Sequence, residues 1–351
     1  MKKLLLSLSM LAALLGFNAC TTDVELYADY KDIPVIYGLL NASQDTNFIR
    51  INRAFSGSND HPINAAQVSL IADSCNYPGK LKAYIVEYKQ ANLGSYTPTG
   101  DTMFLDTITI HDKMEGVFYS PDQKAYYTTE KEKFLNNSAN SKYKYKLFVH
   151  KGNDTITAET NLVGGDNFKI NTFTLSFASK PSDNTRKIKF TVADNAVFYD
   201  TRMVFYYQES LNGGPLTDKK VSYSLGTKSI DELTMEDQMF VVSYGENVLF
   251  NLLEEAIGAD TVTNPNHPNV VRYFDDIHPM QIFLSAGGDE LYNYIQVNQQ
   301  TGFSQTIPDY TNILGGYGVF SSRINLVRDV GISAPTKRDL YSKEAWGFVE
   351  H

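Results

Sequence analysis

The chain has 351 residues, of which 40 are acidic and 31 are basic, so its formal net charge at pH 7 is −9. This balance argues against nucleic acid as a partner, because binding a polyanion requires basic patches that displace counterions. It also weakens attraction to anionic lipid, so attachment to a membrane is expected to come from acyl chains.

The N-terminal segment predicts a secretory signal peptide. Two lysines precede a nearly continuous apolar run over residues 4–17, which has the length of a signal-peptide h-region and is too short to cross a bilayer. The sequence FNAC at 17–20 resembles a bacterial lipobox, with Phe17 where the pattern usually has leucine. We therefore expect removal of residues 1–19 and lipid, including palmitate, on Cys20. Plain secretion with a free Cys20 is the alternative.

The polar segment 20–32 is expected to be a tether between the lipid and the folded part. Asp23 and Glu25 lie close behind the lipidated cysteine and form a candidate surface-export signal, which leaves the periplasmic and exterior faces of the outer membrane both open. The processed chain keeps one other cysteine, Cys75, so no disulfide joins two thiols of the folded region. A secreted domain without disulfides must rely on core burial for its stability.

The first half of the chain, residues 33–165, predicts short strands separated by polar turns. Three of its segments combine apolar residues with flanking turn residues: 33–40, 47–55 and 66–73. The clearest β-hairpin covers residues 143–160, whose apolar residues alternate on both sides of the turn Lys151–Asp154. This rhythm, with no long helix between the strands, is typical of an immunoglobulin-like β-sandwich.

The paired glycines 164 and 165 mark the start of a second β-rich domain, residues 166–335, with two or three short helices. Strands are predicted over 186–192 and 201–209, and helices over 246–257 and 289–300. Ser243 and Glu246 have the spacing of a capping box for the first helix, and Gly258 stands where its C-terminal cap belongs. Residues 336–351 are expected to be a C-terminal tail.

Three glycines near the C-terminus, Gly315, Gly316 and Gly318, lie in the sequence ILGGYGVF. A phosphate-binding loop would need a Lys-Ser/Thr pair after its glycines, and a dinucleotide fingerprint would need a different glycine spacing. Neither is present. The pattern instead predicts a turn or β-bulge in which glycine supplies a positive φ.

One loop contains four residues of types that hold divalent metals: His267, Asp275, Asp276 and His278. Their spacing follows no ligand motif and prolines surround them, so we predict no metal site and no cofactor. No serine lies in a nucleophile elbow and Cys75 has no histidine close in sequence, so we predict that the protein is not an enzyme. A hydrolase whose catalytic residues lie far apart along the chain is the alternative.

Aromatic residues are abundant, with 23 tyrosines, 20 phenylalanines and one tryptophan. Tyrosine-rich surfaces suit glycan or protein recognition, because a flat ring buries area while its hydroxyl stays hydrogen-bonded. The competing explanation is the preference of these residues for half-buried strands. The pairs Tyr126-Tyr127 and Tyr206-Tyr207 support recognition only if their rings are exposed to solvent.

Asp-Thr followed by an apolar residue occurs four times and resembles the O-glycosylation acceptor pattern of Bacteroidota envelope proteins. The corresponding acceptors are Thr102, Thr107, Thr155 and Thr261. The alternative is that Asp-Thr ends a turn and the threonine enters a strand.

Five segments spread over the chain carry a wider resemblance: KDIPVIYGLLNASQDTNFIRINRAFSG, GDTMFLD, EGVFYSP, YKLFVHKGNDTITAET and YTNILGGYGVFSS. Together they resemble uncharacterised Bacteroidota outer-membrane lipoproteins akin to the domain-of-unknown-function 4249 family. One departure is Ser321-Ser322, where that group usually has a Gly-Ala-like pair. The resemblance implies an immunoglobulin-like sandwich followed by a second β-rich domain, an envelope location, and often genes near TonB-dependent receptors. It implies no catalytic residues.

These patterns predict a lipid-anchored, non-enzymatic protein of the outer membrane. Its expected role is to bind a ligand or another envelope protein, as an accessory to a TonB-dependent receptor. A structural or adhesive, fimbria-like surface module is the alternative, and the segment 323–330 would then be the strand donated to a neighbouring subunit.

Overall fold

The computed structural model describes residues 32–54, 71–91, 94–114, 119, 122–130, 143–178, 186–258, 260–262, 269–299 and 310–350. These residues form a mainly β structure with short helices, which confirms the predicted fold class. The strands are β1 (Ile33–Leu40), β2 (Asn47–Ala54), β3 (Lys82–Gln90), β4 (Tyr96–Phe104), β5 (Asp106–Ile110), β6 (Gln123–Thr128), β7 (Tyr143–Lys151), β8 (Asp154–Asn161), β9 (Thr174–Leu175), β10 (Lys187–Phe190), β11 (Phe198–Ser210), β12 (Thr217–Ser229), β13 (Thr234–Glu236), β14 (Met239–Ser243), β15 (Val271–Tyr273), β16 (Met280–Gly287) and β17 (Tyr317–Ile332). The helices are α1 (Ala72–Cys75), α2 (Val248–Ile257), α3 (Asp289–Gln299) and α4 (Ala334–Ser342), and 3-10 turns lie at Ile230–Glu232 and Glu344–Trp346.

One large sheet extends through both halves of the chain, in the strand order β12-β11-β16-β17-β1-β2-β6-β5. Strand β1 pairs antiparallel with β2 on one side and parallel with the first part of β17 on the other. The rest of β17 pairs antiparallel with β16. The segments predicted as separate domains, 33–165 and 166–335, therefore share a sheet, and the boundary between them stays a prediction.

The first hydrophobic core lies between the β1 end of the large sheet and a four-stranded sheet of order β4-β3-β7-β8. Ile36 and Ile49 on the large sheet are fully buried, as are Ile85 and Leu147 on the four-stranded sheet. The predicted hairpin is confirmed, since β7 and β8 pair antiparallel around the turn, where Gly152 has a φ of 59°. The arrangement is two layers of sheet, while its immunoglobulin-like character stays a prediction.

The second core lies under the other end of the large sheet, where α2 and a three-stranded sheet of order β10-β14-β13 cover the inner faces of β11 and β16. Alternation along β11 buries Met203, Phe205 and Tyr207 in this core. This core begins at Val163 in sequence, close to the predicted boundary at residue 165.

The predicted C-terminal tail, 336–351, is wrong for the residues that the structure describes. Residues 334–342 form α4, and Leu340, Trp346 and Phe348 are buried in the second core. Ser333 caps α4, since its side chain accepts a hydrogen bond from the Thr336 backbone N–H. Burying these large apolar side chains removes their surface from water, and this favours a packed segment over a solvated tail.

The capping box predicted for α2 is wrong, although the helix and its Gly258 cap are confirmed. Ser243 ends strand β14, and the residue that precedes the helix is Asn247, which makes no side-chain capping bond. The carboxylate of Glu246 instead forms an ion pair with Arg186 at 2.6 Å. A charged partner from another element therefore displaces the local reciprocal bond.

The predicted strand over 66–73 also needs correction at its C-terminal end. Residues 66–70 lie outside the described part of the chain, and Ala72 begins the short helix α1. Cys75 is buried, and its carbonyl accepts a hydrogen bond from Asn52 Nδ2 at 2.8 Å. This bond holds the helical turn against β2. No described helix has the length and apolar character needed to span a membrane.

Candidate functional site

One cavity among the described residues is an open groove of about 690 Å³ on the outer face of the large sheet. Strands β11 and β12 form its floor, and the loop after β15 forms one wall. The residues that line it are Tyr206, Tyr207, Gln208, Asp218, Lys219, Lys220, Tyr273, Phe274, Asp275, His278 and Pro279. We call it the Tyr206 groove. Its volume lies in the range of about 300–1,000 Å³ that small-molecule sites occupy.

Strand alternation decides which tyrosine of β11 exposes its ring to solvent. Tyr206 is 37% exposed, whereas Tyr207 is 5% exposed and packs in the second core. The Tyr206 hydroxyl donates to Gln281 Oε1 at 2.8 Å, and Gln281 Nε2 donates to Asp329 Oδ1 at 2.8 Å. This row of bonds crosses three strands and fixes the phenol ring at the groove. Tyr206 thus meets the exposure condition for recognition, and Tyr207 does not.

The register of the sheet brings the other floor residues together from separate parts of the chain. Tyr206 pairs with Lys220 of β12, while Gln208 pairs with Asp218 on one side and with Tyr273 of β15 on the other. Gln208 Nε2 donates to Asp218 Oδ1 at 2.9 Å. Lys220 is exposed and has no ion pair among the residues that the structure describes. The floor therefore presents an aromatic ring and a cation side by side.

The wall of the groove is held by a turn at Asp275. Its Oδ1 accepts the backbone N–H groups of His278 at 2.6 Å and Ile277 at 2.8 Å. These bonds lower the pKa of the Asp275 carboxyl, with the bond from His278 contributing most. The loop sequence that resembled a metal site therefore stabilises a turn, and His278 is exposed beside it. His267 lies outside the described residues, and no metal-ligand cluster is found among those described.

A buried ion pair lies directly behind the floor. Arg272 is fully buried, and its Nε donates to Glu209 Oε2 at 2.9 Å. The guanidinium also donates to the backbone carbonyls of Trp346 and Asp260. Arg272 thereby joins β11, β15 and the C-terminal segment. Sequence reasoning missed this pair, because nothing local distinguishes one arginine or glutamate from another.

A second cavity, of about 570 Å³, lies where β1 begins and includes Gly315 and Gly316 in its lining. Its lysine is already engaged: Lys151 Nζ donates to the Asp32 carbonyl at 2.9 Å and lies 3.6 Å from the Asp32 carboxylate. The glycine prediction is confirmed, since Gly315 and Gly318 have φ values of 89° and 112°. A side chain at Gly318 would overlap the carbonyl oxygen of Ile36 across the parallel β1–β17 pair.

The remaining predicted residues are of two kinds: tyrosines that contribute to packing, and residues that lie outside the described part of the chain. Tyr126 is fully buried and its hydroxyl accepts the Leu81 N–H at 2.9 Å; burial raises its pKa. Tyr127 packs on Phe48 with ring centroids 6.3 Å apart. Cys20, Asp23 and Glu25 lie outside the described residues, so the anchor and the export signal stay predictions.

The four predicted glycosylation acceptors lie at or near the surface. Thr155 is exposed on β8, Thr102 and Thr107 are half-buried on β4 and β5, and Thr261 is half-buried after α2. Their modification stays a prediction. No protein-family model matches the chain, and no curated protein matches it significantly. The resemblance to the 4249 family likewise stays a prediction.

The seam between the two cores contains a polar cluster that sequence reasoning missed. Glu290, near the start of α3, accepts hydrogen bonds from the Thr160 hydroxyl at 2.8 Å and the Ser321 hydroxyl at 2.9 Å. Both hydroxyl residues are buried, and burial raises the pKa of the Glu290 carboxyl. Ser322 beside them accepts the Val163 N–H and donates to the Asn161 carbonyl. The serines that depart from the family pattern thus join β8, β17 and α3.

Glu290→Gln is expected to make the fold more stable than wild type near pH 7. Because the folded pKa is raised, the folded state binds this proton more tightly than the unfolded state, so wild-type stability falls as pH rises above the ordinary value of 4.5. Glutamine keeps an acceptor for Thr160 and Ser321 without the charge. The urea midpoints of wild type and Glu290→Gln, measured between pH 4 and 8, should therefore differ most at pH 8 and converge towards pH 4.

Glu254→Gln, an exposed carboxyl on α2, is the matched control and should leave the pH dependence unchanged. Urea midpoints of Glu290→Gln that follow those of wild type at every pH would show that the Glu290 carboxyl is solvated and ionised in the fold.

Proposed function

We propose that this protein is a lipid-anchored, non-enzymatic component of the outer membrane that binds a ligand or an envelope protein through the Tyr206 groove, as an accessory to a TonB-dependent receptor. The observation that carries the binding role is the groove itself, in which an exposed ring stands beside Lys220, a cation with no ion pair within the described ranges of the chain. The envelope location rests on the lipobox at 17–20 and on the family resemblance.

The chemistry of the groove favours binding over hydrolysis. Its described lining contains neither serine nor cysteine. The Asp275 carboxylate is occupied by the backbone of its own turn, so it is not arranged as the partner that orients a catalytic histidine. Aromatic, cationic and amide side chains remain, and these are groups that orient a ligand. The open shape suits a chain-like or macromolecular ligand.

The pairing of β17 counts against the adhesive alternative. Residues 323–330 lie in register with β16 from Arg323 to Val330. Donor-strand assembly needs a segment that is free to enter a neighbour's sheet, whereas this segment is already hydrogen-bonded to β16 in its own sheet.

Tyr206→Ala is expected to weaken partner binding by about tenfold or more, as truncation of an aromatic anchor costs roughly 2 kcal/mol at an interface. The measurement is affinity capture of the tagged full-length protein from detergent-solubilised envelope, with quantification of co-captured proteins and retained small molecules. The ring is exposed, so the fold should survive its loss.

Phe48→Ala is the control, since Phe48 is an exposed aromatic (47%) outside the groove and should leave the capture unchanged. Capture of neither a receptor-class protein nor a retained ligand by the wild-type protein would overturn the proposal. So would equal capture by wild type and Tyr206→Ala.

A further inference from the structure

The outer face of the four-stranded sheet carries a row of aromatic rings. The register pairs Tyr84 of β3 with Phe104 of β4 on one side and with Phe148 of β7 on the other. The centroid of the Tyr84 ring lies 5.9 Å from that of Phe104 and 5.3 Å from that of Phe148, and the planes of Tyr84 and Phe148 differ by 17°. Phe104 is 65% exposed. Tyr84 and Phe148 are half-buried, so the three adjacent strands form a shallow aromatic platform with Phe104 as its most exposed ring.

Two lysines flank this platform on the same strands. Lys82 Nζ lies 5.8 Å from the centroid of the Tyr84 ring, and Lys146 Nζ lies 5.6 Å from the centroid of Phe148. Neither has an ion pair in the part of the chain that the structure describes, whereas Lys144 on the same face is paired with Glu159 at 2.9 Å. The platform therefore carries local positive charge on a chain whose net charge is −9.

The shape of the platform limits what can bind to it. β3 and β7 are inner strands of their sheet, with their backbone groups paired on both sides. An extended peptide lying over Tyr84 and Phe148 would therefore find no free backbone to pair with, and only β4, which carries Phe104, lies at an edge of the sheet on this side. Two lysines are also too few for nucleic acid, whose binding requires neutralisation of many closely spaced phosphates. Sugar rings present flat apolar faces that can stack on aromatic rings.

We propose that this platform, formed by Tyr84, Phe104, Phe148, Lys82 and Lys146, binds an acidic polysaccharide. The sugar faces stack on the aromatic row, and carboxylates spaced along the polymer pair with the two lysines. At physiological ionic strength charges are screened within about 8 Å, so the local lysines outweigh the distant negative charge of the chain. This site is separate from the Tyr206 groove and does not depend on it.

The test is binding of a fluorescent oligogalacturonate to the full-length detergent-solubilised protein, beside an uncharged dextran oligosaccharide of equal length. We expect measurable binding of the oligogalacturonate alone. Phe104→Ala should weaken it by about tenfold or more, the loss typical of removing one stacking ring. The double variant Lys82→Gln/Lys146→Gln should weaken it similarly and flatten its dependence on salt.

Phe48→Ala and Lys169→Gln, an exposed ring and an exposed lysine outside both sites, are the matched controls and should bind the oligogalacturonate as wild type does. Thermal melting of each variant keeps loss of binding separate from loss of fold. Equal binding of dextran, tighter binding of a single-stranded oligonucleotide or an acidic peptide, no binding at all, or unchanged affinity in the platform variants would each overturn the proposal.

Discussion

Arg272→Ala is expected to lower the free energy of unfolding by about 3–5 kcal/mol, because it leaves Glu209 as a buried charge without its main partner. The guanidinium is fully buried and donates to Glu209 and to two backbone carbonyls, so its loss leaves several acceptors unsatisfied together. Urea unfolding followed by tryptophan fluorescence is the suitable measurement. The single tryptophan, Trp346, supplies one of those carbonyls and reports on the site directly.

Lys219→Ala is the matched control for this prediction. Lys219 is an exposed second partner of Glu209, 3.3 Å from Oε1, and its loss should change stability by less than about 1 kcal/mol. Replacing both members of the buried pair, in Glu209→Leu/Arg272→Met, should recover much of the lost stability, since a buried ion pair is worth little relative to apolar residues of similar size. An Arg272→Ala protein with the urea midpoint of wild type would contradict the buried pair.

Cys20→Ala is expected to move nearly all of the protein from the membrane fraction to the soluble fraction of the cell. Stable attachment requires at least two acyl chains or one chain with a basic patch, and this acidic chain supplies no such patch in its tether. Removing the acceptor of the lipid therefore removes the predicted anchor. Fractionation of cell envelopes followed by immunoblotting measures the change.

Cys75→Ala serves as the control, since Cys75 is a buried residue of α1 and its loss should leave the protein membrane-bound. Retention of Cys20→Ala in the membrane fraction would show that another feature, such as a tightly held receptor, attaches the protein. The combination of Cys20→Ala with Tyr206→Ala would then separate attachment by lipid from attachment by a partner.

Local alternation of apolar and polar residues was enough to predict individual strands. The segment 33–40 is a strand over its full predicted length, and the 143–160 hairpin forms around its predicted turn. Each of these depends on side chains two residues apart and on turn residues between them. A recognition role for the pair Tyr206-Tyr207 depended on exposure of their rings. Alternation along β11 places one ring on each face of the sheet, and only Tyr206 is exposed.

Pairings between distant segments have no comparable local pattern in the sequence. Tyr273 reaches the Tyr206 groove on β15, and Asp218 and Lys220 reach it on β12, so neither motif nor spacing could link them to Tyr206 on β11. The burial of Trp346 and Phe348 was missed because the C-terminal segment is short and mixed in polarity. Contacts of this kind are set by the sheet register, which a single sequence does not reveal.

The parallel pairing of β1 with β17 has a consequence for how the chain reaches its native state. The first core includes Phe320, so the N-terminal sandwich is incomplete until residues near the other end of the chain arrive. Contacts between residues so far apart form late and slowly, because closing a long loop costs conformational entropy before the contacts stabilise the fold. If the chain is secreted as its N-terminal segment predicts, the first core would thus stay unfolded until nearly all of the chain had crossed the membrane, which keeps it in the form that a secretion channel accepts.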